Sequence, residues 1–396
     1  MFFLKHKYKS GTKLTQHNGI FRSQLSLFEG VALIVSGTVG AGVLGIPYAI
    51  AQSGIRTGII YIIVIGLLMM GLNLMVGEVV IRTKGTYQLV GLAKKYLGRG
   101  GQFLMTMVLY SLLFGVLTIY IIGEGETLAA LFGGSSFEWS IGFFIIGALL
   151  VSFGLKTVKT IELFLTAGIL AVLVSIAAFS VGHVDVSYWG HFDAAHALLP
   201  YGVVLFALYG ATAIPEVHAT LLHKDKLFKK SIVIAGSSII TLYIIFSLVV
   251  VGVTGLETTE IATIGLGNVL GQNMFIFGNV FAFFAMATSF LLVGVALRDS
   301  LTWDYKIRPA LSTIITLTIP FLLFLVGIRG FIAAIDIVGG VFVSIEVLLV
   351  LLIYWRAKQL GDLDPGKYKL HHASLLGVVL AVVFALGAVY SVWNLF

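Results

Sequence analysis

Residues 36–47 read SGTVGAGVLGIP and lie inside an apolar segment long enough to cross a bilayer. Gly37, Gly40, Gly42, Gly45 and Pro47 are poor residues for an unbroken helix, because glycine costs entropy there and proline has no N–H. In lipid, freed backbone groups are tolerated only where they face protein or a water-filled cavity. The stretch is therefore either a tightly packed helix or a broken one whose loose N–H and C=O groups bind something.

A second stretch, residues 206–215 (FALYGATAIP), favours the break. Gly42 precedes Ile46-Pro47 by the same spacing at which Gly210 precedes Ile214-Pro215, 168 residues later. Interrupted apolar segments at matching places in two halves of a chain are the best sequence pointer to a transporter's binding site.

The surrounding chain fits. It has 396 residues, 59% of them hydrophobic and 11% charged, with a mean hydropathy of +1.04. A soluble domain is about one-quarter charged, so this is a polytopic membrane protein whose first partner is the lipid bilayer. Its 46 glycines suit close helix approach in lipid. The absence of cysteine excludes a disulfide framework and a thiolate metal site. The polar, basic start predicts no cleavable signal peptide.

Eleven spans are expected, at 28–52, 57–81, 101–123, 137–155, 160–182, 198–222, 231–254, 273–297, 309–328, 331–355 and 373–395. Residues 1–27 read as a cytoplasmic tail and 28–396 as one transmembrane domain. Segments 82–100 and 256–272 read as loops or short surface helices. With the N-terminus inside, 23 of the 25 Lys and Arg residues fall on the cytoplasmic side, leaving Arg56 and Arg329 outside. The C-terminus is then external, and the net charge of +7 is positive-inside bias rather than a nucleic-acid footprint. Spans one to five (28–182) and six to ten (198–355) form two halves of odd span number, so the second is inverted relative to the first. The eleventh span (373–395) is an addition. A monomer is the simplest expectation, with the oligomeric state left open.

Two mid-membrane breaks offer N–H groups to a carboxylate and C=O groups to an ammonium or a sodium ion. That matches a zwitterionic amino acid without any charged side chain, and neither break contains Asp, Glu, Lys, Arg or His. Phe206 and Tyr209 stand at the second break, placed to close over a bound side chain or simply to pack. Tyr110, near mid-depth of span three, is a candidate to bond the substrate carboxylate; Tyr120 lies nearer the outside. In span eight, Ala285, Thr288 and Ser289 share a helix face and offer a sodium site with carbonyls such as Ser36 and Val39. The alternative is that these hydroxyls bond their own helix.

Six acidic residues lie in or at the edges of spans: Glu29, Glu78, Glu162, Glu216, Asp336 and Glu346. Ionisable groups in a membrane are functional candidates by default. Glu29, Glu78 and Glu162 have cations such as Arg82 or Lys159 nearby, and Asp336 has Arg329. Glu216 and Glu346 are the better proton-coupling candidates, with Glu78 behind them. His183, Asp185, His191, Asp193 and His196 are too loosely spaced to predict a metal site, and no cofactor is expected beyond a coupling ion, H+ or Na+.

At these residues the chain resembles a known group. GTVGAGVLGIPYAI is similar to the first-helix signature of amino acid permeases of the amino acid–polyamine–organocation superfamily, especially the amino acid/auxin permeases and the bacterial tryptophan/tyrosine permeases. Glu78 with Arg82, KKYLG at 94–98 and MATSFLLVGVALRD at 286–299 resemble the aromatic permeases, whereas Ile214-Pro215-Glu216-Val217 resembles the neutral amino acid branch. The resemblance covers roughly residues 28–310. It implies an all-α fold of the leucine-transporter type, a five-plus-five inverted repeat with broken helices one and six. It implies that Thr38, Val39, Gly40, Ala41, Gly42 and Val43, with Phe206, Ala207, Leu208, Tyr209 and Gly210, hold the substrate backbone. It further implies an aromatic gate at Phe206, and Ala285, Thr288 and Ser289 match the sodium-site spacing of sodium-coupled members. FALYGATAIPEV departs from the aromatic permeases' FGFHG-like run, so neutral, branched and aromatic substrates all stay open.

The expected function is secondary active, cation-coupled transport of a neutral or aromatic amino acid across the cell membrane by alternating access. A non-transporting amino acid receptor on the same fold is the alternative. An intramembrane enzyme is not expected, since no HExxH or GxSxG motif is present, and no filter-like repeat suggests a channel.

Overall fold

A computed structural model describes residues 27–153, 158–221, 225–327, 329–370 and 373–394. The expected basic tail lies outside these residues but for Leu27, and the side chain of Glu162 lies outside them too. The fold is built of helices α1 (Leu27–Ser36), α2 (Gly42–Ser53), α3 (Ile55–Arg82), α4 (Leu89–Phe132), α5 (Ser136–Phe153), α6 (Val158–Ser180), α7 (Pro200–Ala207) and α8 (Ala213–Thr220). These are followed by α9 (Asp225–Thr254), α10 (Ala262–Leu270), α11 (Gln272–Asp304), α12 (Pro309–Val326), α13 (Phe331–Ile337), α14 (Ser344–Leu360) and α15 (Ala373–Trp393). A π-helical segment, Val338–Val343, joins α13 to α14.

Among the described residues, eight helices are long and apolar enough to cross a membrane. The α1–α2 and α7–α8 pairs are not among them, because each member has only 8 to 12 residues. Each pair is one apolar segment divided by a short non-helical stretch, at 37–41 and at 208–212. Pro215 is third in α8, where its missing N–H would be unsatisfied anyway. Pro47 lies deeper in α2 and leaves the Val43 carbonyl without its usual partner.

Two glycines set chain direction with positive φ. Gly54 (φ 97°) turns the chain from α2 into α3 where a β-carbon would meet the His191 carbonyl. Gly98 (φ 74°, ψ −163°) kinks α4, separating a short helix at 89–97 from a longer one at 99–132. The short helix falls in the segment 82–100, read as a loop or short surface helix, and α10 falls in the second such segment. The longer helix runs well past residue 123, the expected end of span three, so Glu124 and Glu126 belong to it. Their polarity marks an end in the sequence, but the neighbouring helices bury Glu124 completely.

Small residues set how closely helices approach, as expected where lipid supplies no hydrophobic drive. α2 packs on α7, α1 on α9 and α8, and α7 on the π-helical segment. A β-carbon on Gly339 would stand 2.8 Å from Cβ of Phe206, and one on Gly202 would collide with Asp336. This corrects the expected Asp336–Arg329 pairing. Asp336 lies against α7, and the Arg329 guanidinium sits 4.8 Å over the Phe137 ring, where cation–π attraction holds it.

One end of the bundle carries a basic face. Arg82 pairs with Glu78 at 2.7 Å, as expected. The loop after α14 closes over this end: the Leu363 N–H donates to the Arg82 carbonyl at 3.0 Å, and Asp362 takes the Lys95 ammonium and, at 2.9 Å, the Lys84 N–H.

Candidate functional site

The two breaks face each other. A β-carbon on Gly42 would lie 2.8 Å from Cα of Ala207 and 2.9 Å from Cδ1 of Phe206. A β-carbon on Gly210 would collide with the Thr38 hydroxyl and lie 3.1 Å from Thr38 Cβ. Each break thus supplies a glycine against which the other break rests.

The backbone there is only partly paired. In the first break Thr38 and Val39 N–H groups turn back to the Val35 carbonyl, and helix resumes with Val43 N–H to Gly40 O at 3.3 Å and Leu44 N–H to Ala41 O at 3.0 Å. The N–H groups of Gly40, Ala41 and Gly42 make no backbone hydrogen bond among the described residues. In the second, Ala213 N–H reaches Gly210 O at 3.1 Å and Ile214 N–H reaches Ala211 O at 3.3 Å, leaving Gly210, Ala211 and Thr212 N–H groups in the same condition. Three adjacent free N–H groups at a helix N-terminus suit an anion. Tyr243 of α9 donates to the Ala207 carbonyl at 3.0 Å and fixes the end of α7. A small cavity lies beside the crossing, bordered by Ile34, Thr38, Met69, Asn73 and Leu208. The buried Asn73 Oδ1 has no partner among the described residues.

Phe206 stands in the last turn of α7 just before the second break and Tyr209 lies within the break, both half-buried. Phe206 lies between Gly42 and Gly339. The Tyr209 hydroxyl donates to Glu346, 2.8 Å from each carboxylate oxygen. Glu346 is 1% exposed, in the first turn of α14 directly after the π-helical segment. Sequence reasoning named both residues separately; the fold brings them together.

Tyr110 is placed elsewhere. Its hydroxyl is 2.7 Å from that of Ser300, and its ring meets Tyr305 edge-on, toward the end of α11. The tyrosine at the first break is Tyr120, with its hydroxyl 3.7 Å from the position a Gly40 β-carbon would take and beside the Ser289 side chain. The difference follows from helix length: α4 extends to Phe132, so mid-helix lies later than a span ending at 123 predicts.

On α11, Thr288 donates to the Phe284 carbonyl at 2.7 Å and the Ala285 carbonyl at 3.2 Å, and Ser289 donates to the Ala285 carbonyl at 2.8 Å. Both hydroxyls bond their own helix, which leaves their oxygen lone pairs available to an incoming ligand. Tyr120 links this face to the first break.

The other acidic candidates differ in kind. Glu78 is fully buried and fully partnered, by Arg82, by Tyr354 hydroxyl at 3.0 Å and by Leu370 N–H at 3.1 Å. That is an ion-pair network holding the basic face. Glu216 is exposed and takes a hydrogen bond from Gln88 at 3.1 Å; on the first turn of short α8 it turns outward instead of into the bundle. Glu124, which sequence reasoning passed over, lies one turn beyond Tyr120 against the Ala287 backbone. It is fully buried, and neither carboxyl oxygen has a hydrogen-bond partner among the described residues. No cluster of three His, Cys, Asp or Glu side chains fit for a metal occurs among the described residues. Asp193 instead accepts from His196 at 2.7 Å.

With this geometry in view, the comparisons with known proteins are specific. The model of the tryptophan/tyrosine permease family matches residues 23–394. Glutamine transporter 2 of Aliivibrio fischeri is 26% identical over 384 residues, covering 89% of this chain and 98% of that protein. Tyrosine-specific transport system 1 of Haemophilus influenzae is 27% identical over 399 residues, covering 91% and 97%. Among solved structures, MhsT in complex with L-phenylalanine superposes with a TM-score of 0.61 at 15% identity, over 94% of this chain and 99% of that one. Inward-facing Mhp1 superposes with a TM-score of 0.62 at 14% identity, over 98% and 95%. The fold is therefore that of the leucine-transporter type.

Proposed function

The chain belongs to the tryptophan/tyrosine permease family, membrane transporters and not enzymes, and from that premise we propose that it carries a neutral or aromatic amino acid by cation-coupled alternating access. The observation that carries this reading is the pair of facing breaks, each with three adjacent uncommitted N–H groups. The substrate carboxylate sits on these N–H groups and its ammonium on the break carbonyls. No charged side chain is needed, which explains why the breaks contain none. Phe206, Tyr209 and Tyr120 border the space for the substrate side chain.

The membrane arrangement follows the sequence reading. Eleven spans cross the cell membrane, with the first and sixth made of the half-helices α1–α2 and α7–α8, in a five-plus-five inverted repeat plus α15. The basic face is cytoplasmic, as the skew of Lys and Arg requires. One bundle, spans one, two, six and seven, rocks against the rest around a site that stays near the midplane. The coupling ion is sodium on Ala285, Thr288, Ser289 and carbonyls of the first break, or a proton on a buried carboxylate.

The experiment is uptake of a labelled amino acid mixture into proteoliposomes, under an inward sodium gradient and separately an inward proton gradient. Accumulation against the amino acid's own gradient under either is the expected result. Binding without accumulation under both would replace the transporter with a receptor.

A further inference from the structure

We propose that Glu346 is the proton-binding site of this protein and that Tyr209 passes its charge state to the second break. The inference rests on the transport reading above and names the ion and the side chain that carries it.

Three observations place a proton here. Glu346 is 1% exposed, and among the described residues its carboxyl accepts hydrogen bonds from a single group, the Tyr209 hydroxyl. A buried carboxylate with so little compensation is costly, so a proton is its natural counter-charge. That donor lies 2.8 Å from both oxygens, so it meets the carboxyl directly and a change of charge there changes the strength of its bond. Third, Tyr209 is not part of a helix. It lies in the break, next to Gly210, whose missing side chain seats Thr38 of the first break. Whatever moves the Tyr209 ring moves the groups proposed to hold the substrate.

The neighbouring groups leave Tyr209 as the responding partner. Tyr201 of α7 bonds Ser344 at 2.8 Å, Tyr110 of α4 stands with Ser300, and Glu78 of α3 is held by Arg82 and Tyr354. Tyr390 of α15 feels Asp336, and Glu124 of α4 faces the α11 backbone.

The step is a proton transfer only. A proton from water on one side joins a Glu346 oxygen, the charge-assisted bond to Tyr209 becomes a weaker neutral one, and the freed ring lets the break shift. The same proton later leaves to water on the other side. By linkage, substrate seated on the break changes the proton affinity of Glu346 by the same factor that the proton changes substrate affinity.

The test uses full-length protein in proteoliposomes without sodium, comparing wild type, Glu346→Gln, Tyr209→Phe and Glu124→Gln. One readout is accumulation driven by an inward proton gradient; the other is exchange of internal for external labelled substrate at equal pH. Glu346→Gln should lose accumulation by about tenfold or more while keeping exchange within about threefold, and its exchange should no longer vary between pH 5 and 8. Tyr209→Phe, whatever it does to the level of uptake, should move the midpoint of the remaining pH profile upward by about one unit, because the anion has lost its donor. Should Glu346→Gln not fold, an unmoved midpoint in Tyr209→Phe overturns the proposal by itself. Full accumulation by Glu346→Gln also overturns it, as does loss in Glu124→Gln alone. Wild-type uptake driven by sodium and indifferent to protons would remove the proton site and leave the transport reading standing. No uptake by wild type under any gradient would remove the transport reading first.

Discussion

Gly42 rests so closely on Ala207 that a β-carbon at the glycine would stand 2.8 Å from the Ala207 Cα. Backbone cannot yield as a flexible side chain does, so any larger residue must push α2 and α7 apart. Overpacking of this kind costs about 1–3 kcal/mol, and here it also opens the two breaks. Gly42→Leu should insert into the membrane normally and abolish amino acid uptake, with Gly42→Ala intermediate. Uptake per folded molecule, with dispersity checked by size-exclusion chromatography, measures this. Normal uptake by a well-folded Gly42→Leu protein would separate the breaks from the site.

The reciprocal contact gives a coupled pair. Gly210→Ala brings a methyl onto the Thr38 hydroxyl. Thr38→Ala removes that hydroxyl and one methyl, leaving Cβ 3.1 Å away. The double variant should therefore recover part of the transport and thermal stability lost by Gly210→Ala alone. Neighbours that share a contact show interaction energies of about 0.5–3 kcal/mol. Strict additivity of the two losses would contradict the contact.

Glu78 and Glu124 should respond in opposite ways to neutralisation. Glu78 takes Arg82, Tyr354 and the Leu370 N–H, and removing one partner of a buried ion pair costs about 3–5 kcal/mol. Glu78→Gln should lower the melting temperature of the detergent-solubilised protein by several degrees. Glu124 has no hydrogen-bond partner among the described residues. Glu124→Leu should leave that temperature unchanged or raise it, since a buried unpaired carboxyl contributes no bond to lose. A fall in both would reveal a partner for Glu124.

The loop contact on the basic face is a pH-dependent one. The Lys95 ammonium, with help from the Lys84 N–H, holds the Asp362 carboxyl below the ordinary carboxylate range. A lowered value means the ionised form is the bound form. Its contribution is complete above the free-aspartate value of about 3.9 and is lost as pH falls through the lower folded value. At pH 7 the loop should be fully held, and hydrogen exchange at 361–370, corrected for the intrinsic pH dependence of amide exchange, should speed up only below about pH 4. Asp362→Asn should speed it at pH 7. High salt should weaken the contact too, because both side chains are partly open to water.

The breaks were legible because glycine and proline act on the backbone where they stand. The repeated Gly…Ile-Pro spacing therefore reported non-helical stretches at 37–41 and 208–212 without any tertiary information. Side-chain placement was less legible, because it depends on depth and rotation. Tyr110 and Tyr120 both fit mid-span until the C-terminal end of α4 is known to reach Phe132. Glu124 was hidden by its own polarity: Glu-Gly-Glu at 124–126 looks like a helix leaving the membrane, and only packing by α5 and α11 keeps it inside. Glu216 and Glu346 read alike as acidic residues near apolar spans. The first turn of short α8 leaves one exposed, and the first turn of α14, packed after the π-helical segment, buries the other. The Tyr209–Glu346 pair spans 137 residues of sequence, and no local pattern can encode a contact of that range.

The mutual seating of the breaks also bears on heredity. Positions 38 and 210 share a space that holds one side chain and no more. A lineage that enlarges one member survives only if the other shrinks, so substitutions at these sites should arrive in pairs across family members, with the summed volume nearly constant. Residues facing only the substrate carry no such bond and can drift singly as diets of amino acids change. The crossing then records the ancestry of the fold, while the pocket wall beside it records its trade.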